Sequence, residues 1–575
     1  MTSRLTASPW LGHYDANVPA TAGPYPDRTL LDCVADAARD HPDRPAVLFK
    51  GGAVTCEALD QLSDAFASAL AAIGITRGDR VALLLPNCPQ FLIAQLGTWK
   101  IGAIVSPLNP LYTEREIQIA LGENGVGAIV TLTRFYDRVK RVQPRTPLRT
   151  VIATNIKEHF PPLLRLLFTL FRERRDGDRI TLEPGDHNFS TLLAAHAGRI
   201  VPRAAVSAND PAVLLMSGGT TGTPKGVLGT HGAYLHAGVQ IRAWLSSVLG
   251  EGDSVILLPL PLFHVYANVG VQALALLTRN PLALVPNPRD LDDLVKTVRQ
   301  VRPAFFCGVP SLYLALLNHR DVQRGRVDFK SIRICFSGAA PLMADTKARF
   351  EALTGARIVE GYSLTEGMMA LCVNPVQGPN KIGSVGMPLP DVHVRIVDDT
   401  TGTRELATGE VGEICIAAPQ IMEGFWNRPE ETAEVLRTGP DEHVPGPWLH
   451  TGDLGYLDED GYVFIVDRKK DLIKASGNQV WPREVEEAMA THPAVAEVGV
   501  AGVPDDLKGE AVKAWVVLRP GHVATIDDLR MHCRLQLAPY KVPSQVEFRT
   551  ELPKTMVGKV LRRALRAEHT GPSGS

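Results

Sequence analysis

Apolar runs rich in β-branched residues alternate with amphipathic segments through the first two thirds of the chain. The run RVALLLP (80–86) precedes the helix-like QFLIAQLGTWKIG, and GAIVSPLNP then has the pattern of a strand and a loop. GVGAIVTLT, DSVILLPLPLF and PAFFCGVP continue the series. Strands that alternate with helices favour a layered α/β fold with largely parallel sheets.

The pattern changes from about residue 380. VHVRIVDD, EVGEICIAA and GYVFIVDRKKD are short alternating strands with Gly and Asp turns, which predict a β-rich subdomain. After Asp467 the order helix, two strands, helix, strand and helix predicts a small α+β unit of about 100 residues. We therefore predict a large N-terminal domain over residues 1–469 and a small mobile C-terminal domain over 470–575.

Composition narrows the class of protein. The 575 residues suggest two to four domains, and 45% hydrophobic with 21% charged residues is typical of a globular protein. The 60 Lys and Arg nearly cancel the 62 Asp and Glu, so the net charge does not favour a nucleic-acid partner. The 8 cysteines form no CxxC pair, which argues against a zinc ribbon or a disulfide scaffold and predicts a cytoplasmic location.

Residues 160–175, FPPLLRLLFTLFRERR, form the most apolar segment. The segment is too short to span about 30 Å of hydrocarbon and is interrupted by Arg165, so we predict no transmembrane helix. Its Leu and Phe residues with a basic end fit peripheral contact with a membrane interface, but a helix docked on the protein has the same pattern. The sequence leaves both interpretations open.

The clearest chemical signal is LLMSGGTTGTPKGVLGTHGAY, residues 214–234. An apolar strand runs into small and hydroxyl residues, whose backbone N–H and O–H groups can converge on phosphate oxygens beside a lysine. The Walker pattern does not fit, because Pro224 and Gly226 flank Lys225. The predicted phosphate loop comprises Ser217, Gly218, Gly219, Thr220, Thr221, Gly222, Thr223 and Lys225.

Six further motifs follow in order. They are LPLPLFHVYA (258–267), SGAAPL (337–342), EGYSLTEG (360–367), WLHTGDLGYLDEDGY (448–462), DRKKDLIKASGNQVWPREVE (467–486) and PKTMVGKVLRRAL (553–565). With the phosphate loop, this series resembles the acyl-activating adenylate-forming enzymes, which include acyl-CoA synthetases, luciferases and peptide-synthetase adenylation domains. Within that superfamily the sequence looks most like bacterial long-chain fatty-acid CoA ligases.

The resemblance implies a two-step reaction. A carboxylate attacks the α-phosphorus of ATP and expels pyrophosphate, and CoA then takes the acyl group and releases AMP. The first step brings two anions together, so it requires cations and hydrogen-bond donors but no protein nucleophile. Thr220, Thr221, Thr223 and Lys225 would hold the β- and γ-phosphates. Glu366 would coordinate Mg²⁺ with help from Thr365 or Thr221.

The same resemblance assigns the remaining nucleotide contacts. Tyr362 would stack on adenine, and Asp453 and Arg468 would bind the ribose or a phosphate. The residues that would close the base and acyl pockets are Gly338, Ala339, Glu360, Gly361 and Ser363.

His264 and Lys559 are the two further catalytic candidates. His264 would line the acid pocket near the adenylate, with a structural core histidine as the alternative. Lys559 would bridge the carboxylate and ATP in the first step. The family's C-terminal domain rotates between the steps, which places the hinge at Lys470 and a thioester-forming face at Lys474, Gly477, Asn478 and Gln479. Lys474 and Gln479 would also touch the nucleotide.

The expected substrates are a medium- or long-chain fatty acid, ATP and coenzyme A. No acidic residue in SGAAPL or in LPLFHVYANVGVQALALL (260–277) is placed to pair an amino group, which favours a hydrophobic acid. The alternatives are an aryl or other acid ligase, an acyl-AMP ligase that loads a carrier protein, and a non-catalytic acyl-AMP-binding protein. A homodimer is left open.

Overall fold

The structure is a computed structural model, which describes residues 8–200, 204–217, 224–340, 342–439, 444, 446–475, 478–505, 509–555 and 560–570. The chain forms two compact units. Unit 1 comprises Met1–Ile382, Gly386–His393 and Ala417–Leu449, and unit 2 comprises Gly383–Val385, Val394–Ile416 and His450–Ser575.

A nine-stranded sheet forms one layer of unit 1. Its strands in spatial order are Met387–Pro388, Met369–Val373, Arg357–Leu364, Ile334–Ser337, Phe305–Gly308, Ile256–Leu258, Leu282–Leu284, Pro45–Phe49 and Gly52–Thr55. The central neighbours pair in parallel, whereas antiparallel strands close both edges.

A second sheet of unit 1 has eight strands and is antiparallel at one edge only. Its strands in spatial order are Gly424–Phe425, Lys225–Thr230, Pro211–Ser217, Ile104–Pro107, Arg80–Leu84, Ala128–Leu132, Thr150–Thr154 and His187–Asn188. Pairing is parallel from Pro211–Ser217 to His187–Asn188 and antiparallel beyond Pro211–Ser217. These sheets confirm the α/β prediction.

Most helices of unit 1 bury an apolar face, whereas Pro162–Phe171 and Pro429–Val435 contain no buried residue. The α-helices are Leu30–Asp40, Cys56–Ala72, Pro89–Lys100, Glu114–Glu123, Tyr136–Val142, Pro162–Phe171, Phe189–Ala195, His231–Leu245, Gln272–Thr278, Leu291–Val301, Pro310–Leu317, Arg320–Gln323, Ala344–Thr354 and Pro429–Val435. Tyr266–Val271 is a π-helix that leads into Gln272–Thr278. Among the described residues, no helix is both long and apolar enough to cross a bilayer.

Unit 2 contains two sheets. The first is built from the strands His393–Val397, Gly412–Ala417, Trp448–Leu457 and Val463–Arg468, of which the last two pair antiparallel. The two-residue strand Leu436–Arg437 of unit 1 pairs antiparallel with residues 448 and 449. The second has the strands Asn478–Val480, Ile473–Ala475, Gly509–Leu518, Val495–Asp505 and Gln545–Arg549. Its helices are Pro482–Ala490, Ile526–Arg534 and Arg562–Thr570. The predicted domain boundary at residues 469 and 470 lies between these two sheets and stays a prediction.

Candidate active site

The predicted phosphate loop connects two adjacent strands in unit 1. Pro211–Ser217 and Lys225–Thr230 pair antiparallel, with Ser217 opposite Lys225. The intervening residues Gly218, Gly219, Thr220, Thr221, Gly222 and Thr223 lie outside the described residues. Ser217 ends a strand that runs parallel to Ile104–Pro107, so the loop begins at the carboxyl edge of the parallel strands, where α/β sheets bind ligands. The strand Lys225–Thr230, and not a helix, follows the loop.

Lys225 is paired with a carboxylate that sequence reasoning missed. Its Nζ forms an ion pair with Glu431, in the first turns of the helix Pro429–Val435, and lies 4.9 Å from the centre of the Phe425 ring. The hydrogen bond from Lys225, with a second from Arg428, lowers the pKa of Glu431. Arg428 also binds Glu123 at 2.8 Å. The acidic first turn in WNRPEET was the available signal for this pairing.

The EGYSLTEG motif forms the edge hairpin of the nine-stranded sheet. Glu360, Gly361, Tyr362 and Ser363 lie on Arg357–Leu364, which runs parallel to Ile334–Ser337 and antiparallel to Met369–Val373. Thr365 and Glu366 form the turn between the paired strands, and the Met422 amide donates to the Glu366 carbonyl at 3.0 Å.

SGAAPL lies beside this hairpin. Ser337 pairs with Glu360, so Gly338 and Ala339 follow at the carboxyl end of a parallel strand. A Cβ atom added to Gly338 would lie 3.3 Å from the Tyr266 ring and 3.6 Å from the Gly361 carbonyl oxygen. Ala339 has a φ of 68°, a left-handed conformation that is uncommon outside glycine. The structure therefore brings Gly338 next to Gly361, and Tyr362, which follows Gly361 in the chain, is buried.

Two methionines connect the Glu366 turn to the other motifs of unit 1. A Cβ added to Gly229, in the strand that leaves the phosphate loop, would lie 2.0 Å from Cε of Met368. A Cβ added to Gly270, in the π-helix after His264, would lie 2.3 Å from Cε of Met369. The two glycines therefore provide the space in which these side chains pack. The Glu366 turn thus contacts both the phosphate-loop hairpin and the His264 region.

His264 is held as a neutral imidazole. The Tyr266 amide donates to His264 Nδ1 at 3.3 Å, and burial lowers the pKa of His264 to about 4. The neutral ring therefore carries its proton on Nε2. The π-helix Tyr266–Val271 begins two residues later, and such insertions in helices are frequent at functional sites.

A buried polar network supports this π-helix. Asn268 donates to the Leu262 carbonyl at 2.6 Å and to Gln95 Oε1 at 3.2 Å, and accepts from the Tyr234 hydroxyl at 2.5 Å. Within the described part of the chain, the buried Tyr266 hydroxyl has no hydrogen-bond partner. Burial without a partner is costly, so this hydroxyl is a candidate contact for a bound molecule.

The candidates of unit 2 occupy two hairpins. In the first, Asp453 lies opposite Arg468, whose Nε is 3.1 Å from Asp453 Oδ1. In the second, Lys474 lies opposite Gln479, and Asn478 opposite Ala475. Lys470 belongs to the 3₁₀ turn Lys469–Asp471. Gly477 and Lys559 lie outside the described residues.

A partly buried ionic cluster lies next to the predicted hinge at Lys470. Arg562 Nη1 lies 2.8 Å from Asp467 and 3.1 Å from Asp471, and its Nη2 lies 2.7 Å from Glu486. Burial opposes the charged form of Arg562, but these three carboxylates outweigh that effect and raise its pKa. Arg562 therefore connects the helix after the Lys559 segment to both sides of Lys470.

The fold and the motifs define an α/β enzyme class whose ligand sites lie at the carboxyl edges of parallel strands. The AMP-binding enzyme family model matches residues 34–426, and the AMP-binding enzyme C-terminal domain matches residues 484–559. The chain belongs to the AMP-binding enzyme family.

Named relatives cover nearly the whole chain. A long-chain-fatty-acid–CoA ligase of Bacillus subtilis (strain 168) is 40% identical over 566 residues, which is 98% of each chain. A 4-coumarate–CoA ligase 2 of Oryza sativa subsp. japonica is 35% identical and covers 93% of this chain and 91% of its own. The ATP-bound crystal structure of MatB from Rhodopseudomonas palustris has a TM-score of 0.78 at 27% identity, covering 93% of this chain and 98% of that chain.

Proposed function

We propose that this chain is an AMP-forming fatty-acid–CoA ligase, which activates a medium- or long-chain acid with ATP and transfers the acyl group to coenzyme A. The observation that carries the proposal is the packing of the Glu366 turn against both the phosphate-loop strand at Gly229 and the π-helix at Gly270. The reaction needs phosphate contacts, a carboxylate for a metal and an acid pocket in one place. The full-length relative named as a long-chain-fatty-acid–CoA ligase supports the choice of acid.

The residues of unit 1 fit a magnesium-assisted adenylation. Mg²⁺ in nucleotide sites is usually held by one or two carboxylates together with substrate phosphates, and the described residues contain no cluster of three metal-ligating side chains. Glu366, with the Thr365 or Thr221 hydroxyl, would hold the ion. When bound, the ion would neutralise phosphate charge and help pyrophosphate to leave. Lys225 would bind the β- and γ-phosphates with Ser217, Gly218, Gly219, Thr220, Thr221, Gly222 and Thr223.

The acid would bind beside His264. Its neutral imidazole adds no competing charge, and its Nε2–H can donate to the substrate carboxylate. Tyr266, whose ring lies against Gly338, would present its hydroxyl to the same region. Tyr362, Gly338 and Ala339 would then bind the adenine, with Glu360, Gly361 and Ser363 beside it.

The residues of unit 2 would complete the two half-reactions. Asp453 and Arg468 would bind the ribose or a phosphate, and Lys559 would bridge the carboxylate and the α-phosphate during adenylation. After rotation at Lys470, the face that carries Lys474, Gly477, Asn478 and Gln479 would serve thioester formation. The 8 cysteines form no CxxC pair and have no paired spacing, which supports the proposed cytoplasmic location. We further propose that residues 160–175 contact a membrane surface, because their helix exposes its apolar side chains.

A turnover assay tests the proposal. Purified protein with ATP and Mg²⁺ is given acids of two to twenty carbons and aryl acids such as 4-coumarate, with CoA, with an acyl carrier protein, or with neither acceptor. We expect AMP and pyrophosphate with medium- or long-chain acids and thioester with CoA. Production of ADP would contradict adenylation, whereas preference for aryl acids or for the carrier protein would favour those alternatives. Binding of acyl-AMP without turnover would indicate a non-catalytic protein.

A further inference from the structure

Glu413 is a buried carboxylate of unit 2 that belongs to none of the seven sequence motifs. It lies on the strand Gly412–Ala417, which neighbours Trp448–Leu457, the strand that carries Asp453. The Glu413 side chain is only 9% exposed. Removing a carboxylate from water is costly unless the group is paired and hydrogen-bonded. The contacts that Glu413 makes therefore indicate which part of the structure it stabilises.

The two Glu413 oxygens contact the sequence neighbours of both members of the Asp453–Arg468 pair. Oε1 accepts a hydrogen bond at 3.1 Å from the amide of Gly452, which directly precedes Asp453. Oε2 lies 3.8 Å from Nζ of Lys469, which directly follows Arg468. Asp453 and Arg468 lie opposite each other on one hairpin and form an ion pair at 3.1 Å. One carboxylate thus contacts both sides of the hairpin that carries the pair.

The backbone before Asp453 has a kink that these contacts stabilise. Gly452 has a φ of 69° within a strand, a left-handed conformation that glycine adopts readily and that changes the direction of the residues that follow. The Thr451 hydroxyl donates to the Ile414 carbonyl at 2.7 Å and accepts from the Asp453 amide at 3.1 Å. The direction of the Asp453 side chain therefore depends on a kink that is bound to Glu413 and Ile414.

The surroundings of Glu413 favour its ionised form. Burial opposes the charge, but hydrogen-bond donors and a cation outweigh burial and lower the pKa of Glu413 below its usual 4.5. The largest of these effects comes from His450, whose Nδ1 lies 3.5 Å from Oε2, followed by Lys469 and the Gly452 amide. A charged acceptor forms a stronger hydrogen bond with an amide than a neutral acceptor does. The contact with Gly452 is therefore charge-assisted.

We infer that Glu413 is a positioning residue for the nucleotide sugar, because it fixes the hairpin on which Asp453 and Arg468 lie opposite each other. The inference rests on the proposed function, in which these two residues bind the ribose. Glu413 acts through Gly452 and Lys469 and does not itself contact the sugar. A site built to bind a substrate hydroxyl rejects the analogue that lacks it. Glu413 therefore contributes to the preference for ATP over 2′-deoxy-ATP.

Pyrophosphate exchange by the full chain, with Mg²⁺, dodecanoic acid and either ATP or 2′-deoxy-ATP, tests the inference. The quantity compared is the ratio of kcat/KM for ATP to kcat/KM for 2′-deoxy-ATP. Glu413→Ala should lower this ratio at least about tenfold, mainly through a higher KM for ATP, because a displaced Asp453 loses the hydroxyl contact. Glu413→Gln keeps an oxygen for the Gly452 amide and should recover most of the ratio.

Three further variants separate positioning from a general loss of stability. Asp453→Ala should abolish the preference for ATP, and Glu413→Ala with Asp453→Ala should lose no more than Asp453→Ala alone, because both changes act on one contact. Glu410→Gln is the matched control at an exposed position three residues before Glu413, and its ratio should equal that of the wild type. Thermal melting verifies folding. Glu413→Asp, with a shorter side chain, replaces Glu413→Ala if the latter does not fold, with the same expectation.

An unchanged ratio in Glu413→Ala, when Asp453→Ala loses its preference, would overturn the inference. An equal loss of kcat with both nucleotides would also overturn it, because that result indicates a purely structural role. An unchanged ratio in Asp453→Ala would contradict the proposed ribose contact instead. The crystal structure of Glu413→Ala then decides the inference independently of turnover. Displacement of Asp453 by about 1 Å would support it, and Asp453 in its wild-type position would overturn it.

Discussion

At the scale of single residues, Glu366 carries the magnesium assignment. Glu366→Gln keeps the size of the side chain but removes the charge, so turnover should fall by about two orders of magnitude or more at limiting Mg²⁺. Glu423→Gln is the matched control, because Glu423 is exposed and follows Met422, whose amide binds the Glu366 carbonyl. Steady-state kinetics across a Mg²⁺ series measures both. Unchanged turnover of Glu366→Gln at limiting Mg²⁺ would exclude the ligand role.

The Glu431 carboxylate forms an ion pair with Lys225, whose ammonium group we propose as a phosphate ligand. ATP must compete with this carboxylate, so Glu431→Gln should lower the KM for ATP severalfold with a smaller change in kcat. Glu430→Gln, one residue earlier in the same helix turn, is the control. A higher KM for ATP would mean that Glu431 positions Lys225 for the nucleotide.

The same ion pair has a pH dependence. Because Lys225 lowers the pKa of Glu431 below its usual 4.5, the stabilisation is present above pH 4.5 and is lost as the pH falls through the lower folded-state value. Acid unfolding of Glu431→Gln compared with the wild type should show this contribution vanish at low pH. If the two proteins still differ in stability below the folded-state pKa of Glu431, packing and not charge would cause the difference.

At the scale of elements, Arg562 connects the last helix to the segment around Lys470. Arg562→Gln leaves the buried Asp467 and the half-buried Glu486 without their cation. Breaking a fully buried pair typically costs about 3 to 5 kcal/mol, and we expect a smaller cost here because Arg562 and Glu486 are partly exposed. Arg563→Gln, at an exposed neighbour, should cost less than about 1 kcal/mol. Denaturant unfolding, followed by a spectroscopic probe in unit 2, measures the free energy of unfolding of both variants. Equal effects would show that the cluster does not stabilise this unit, and partial recovery in Arg562→Gln with Glu486→Gln would confirm the pairing.

The helices and strands themselves followed largely from periodicity. RVALLLP, GAIVSPLNP and GVGAIVTLT contain the strands Arg80–Leu84, Ile104–Pro107 and Ala128–Leu132. The run DSVILLPLPLF forms only Ile256–Leu258, because the chain turns at residues 259–264 before the π-helix. The spatial order of strands in a sheet depends on pairing between distant segments. The antiparallel hairpins that hold the phosphate loop and EGYSLTEG were therefore not predictable from the pattern of hydrophobic and polar residues.

At the scale of the whole molecule, the two-step reaction predicts separable defects. Lys559→Ala removes a cation from the site of converging charge, worth about 3 to 4 kcal/mol or roughly 10² to 10³ in rate, so acyl-AMP formation should fail. Thioester formation from preformed acyl-AMP should stay near the wild-type rate. Lys470→Pro, which stiffens the predicted hinge, should show the reverse pattern. Equal slowing of both steps by Lys559→Ala, in protein with an unchanged melting temperature, would contradict the two-geometry hypothesis.

The sequence by itself determined the α/β class, the family and the order of its motifs, because strand and helix periods and short phosphate-binding patterns are local properties. Tertiary structure alone decided which distant side chains meet: Glu431 with Lys225, Met368 with Gly229, and Met369 with Gly270. It also decided that the apolar face of Pro162–Phe171 is exposed to solvent. A local period shows that a helix has an apolar face, but what that face contacts depends on how the rest of the chain packs around it.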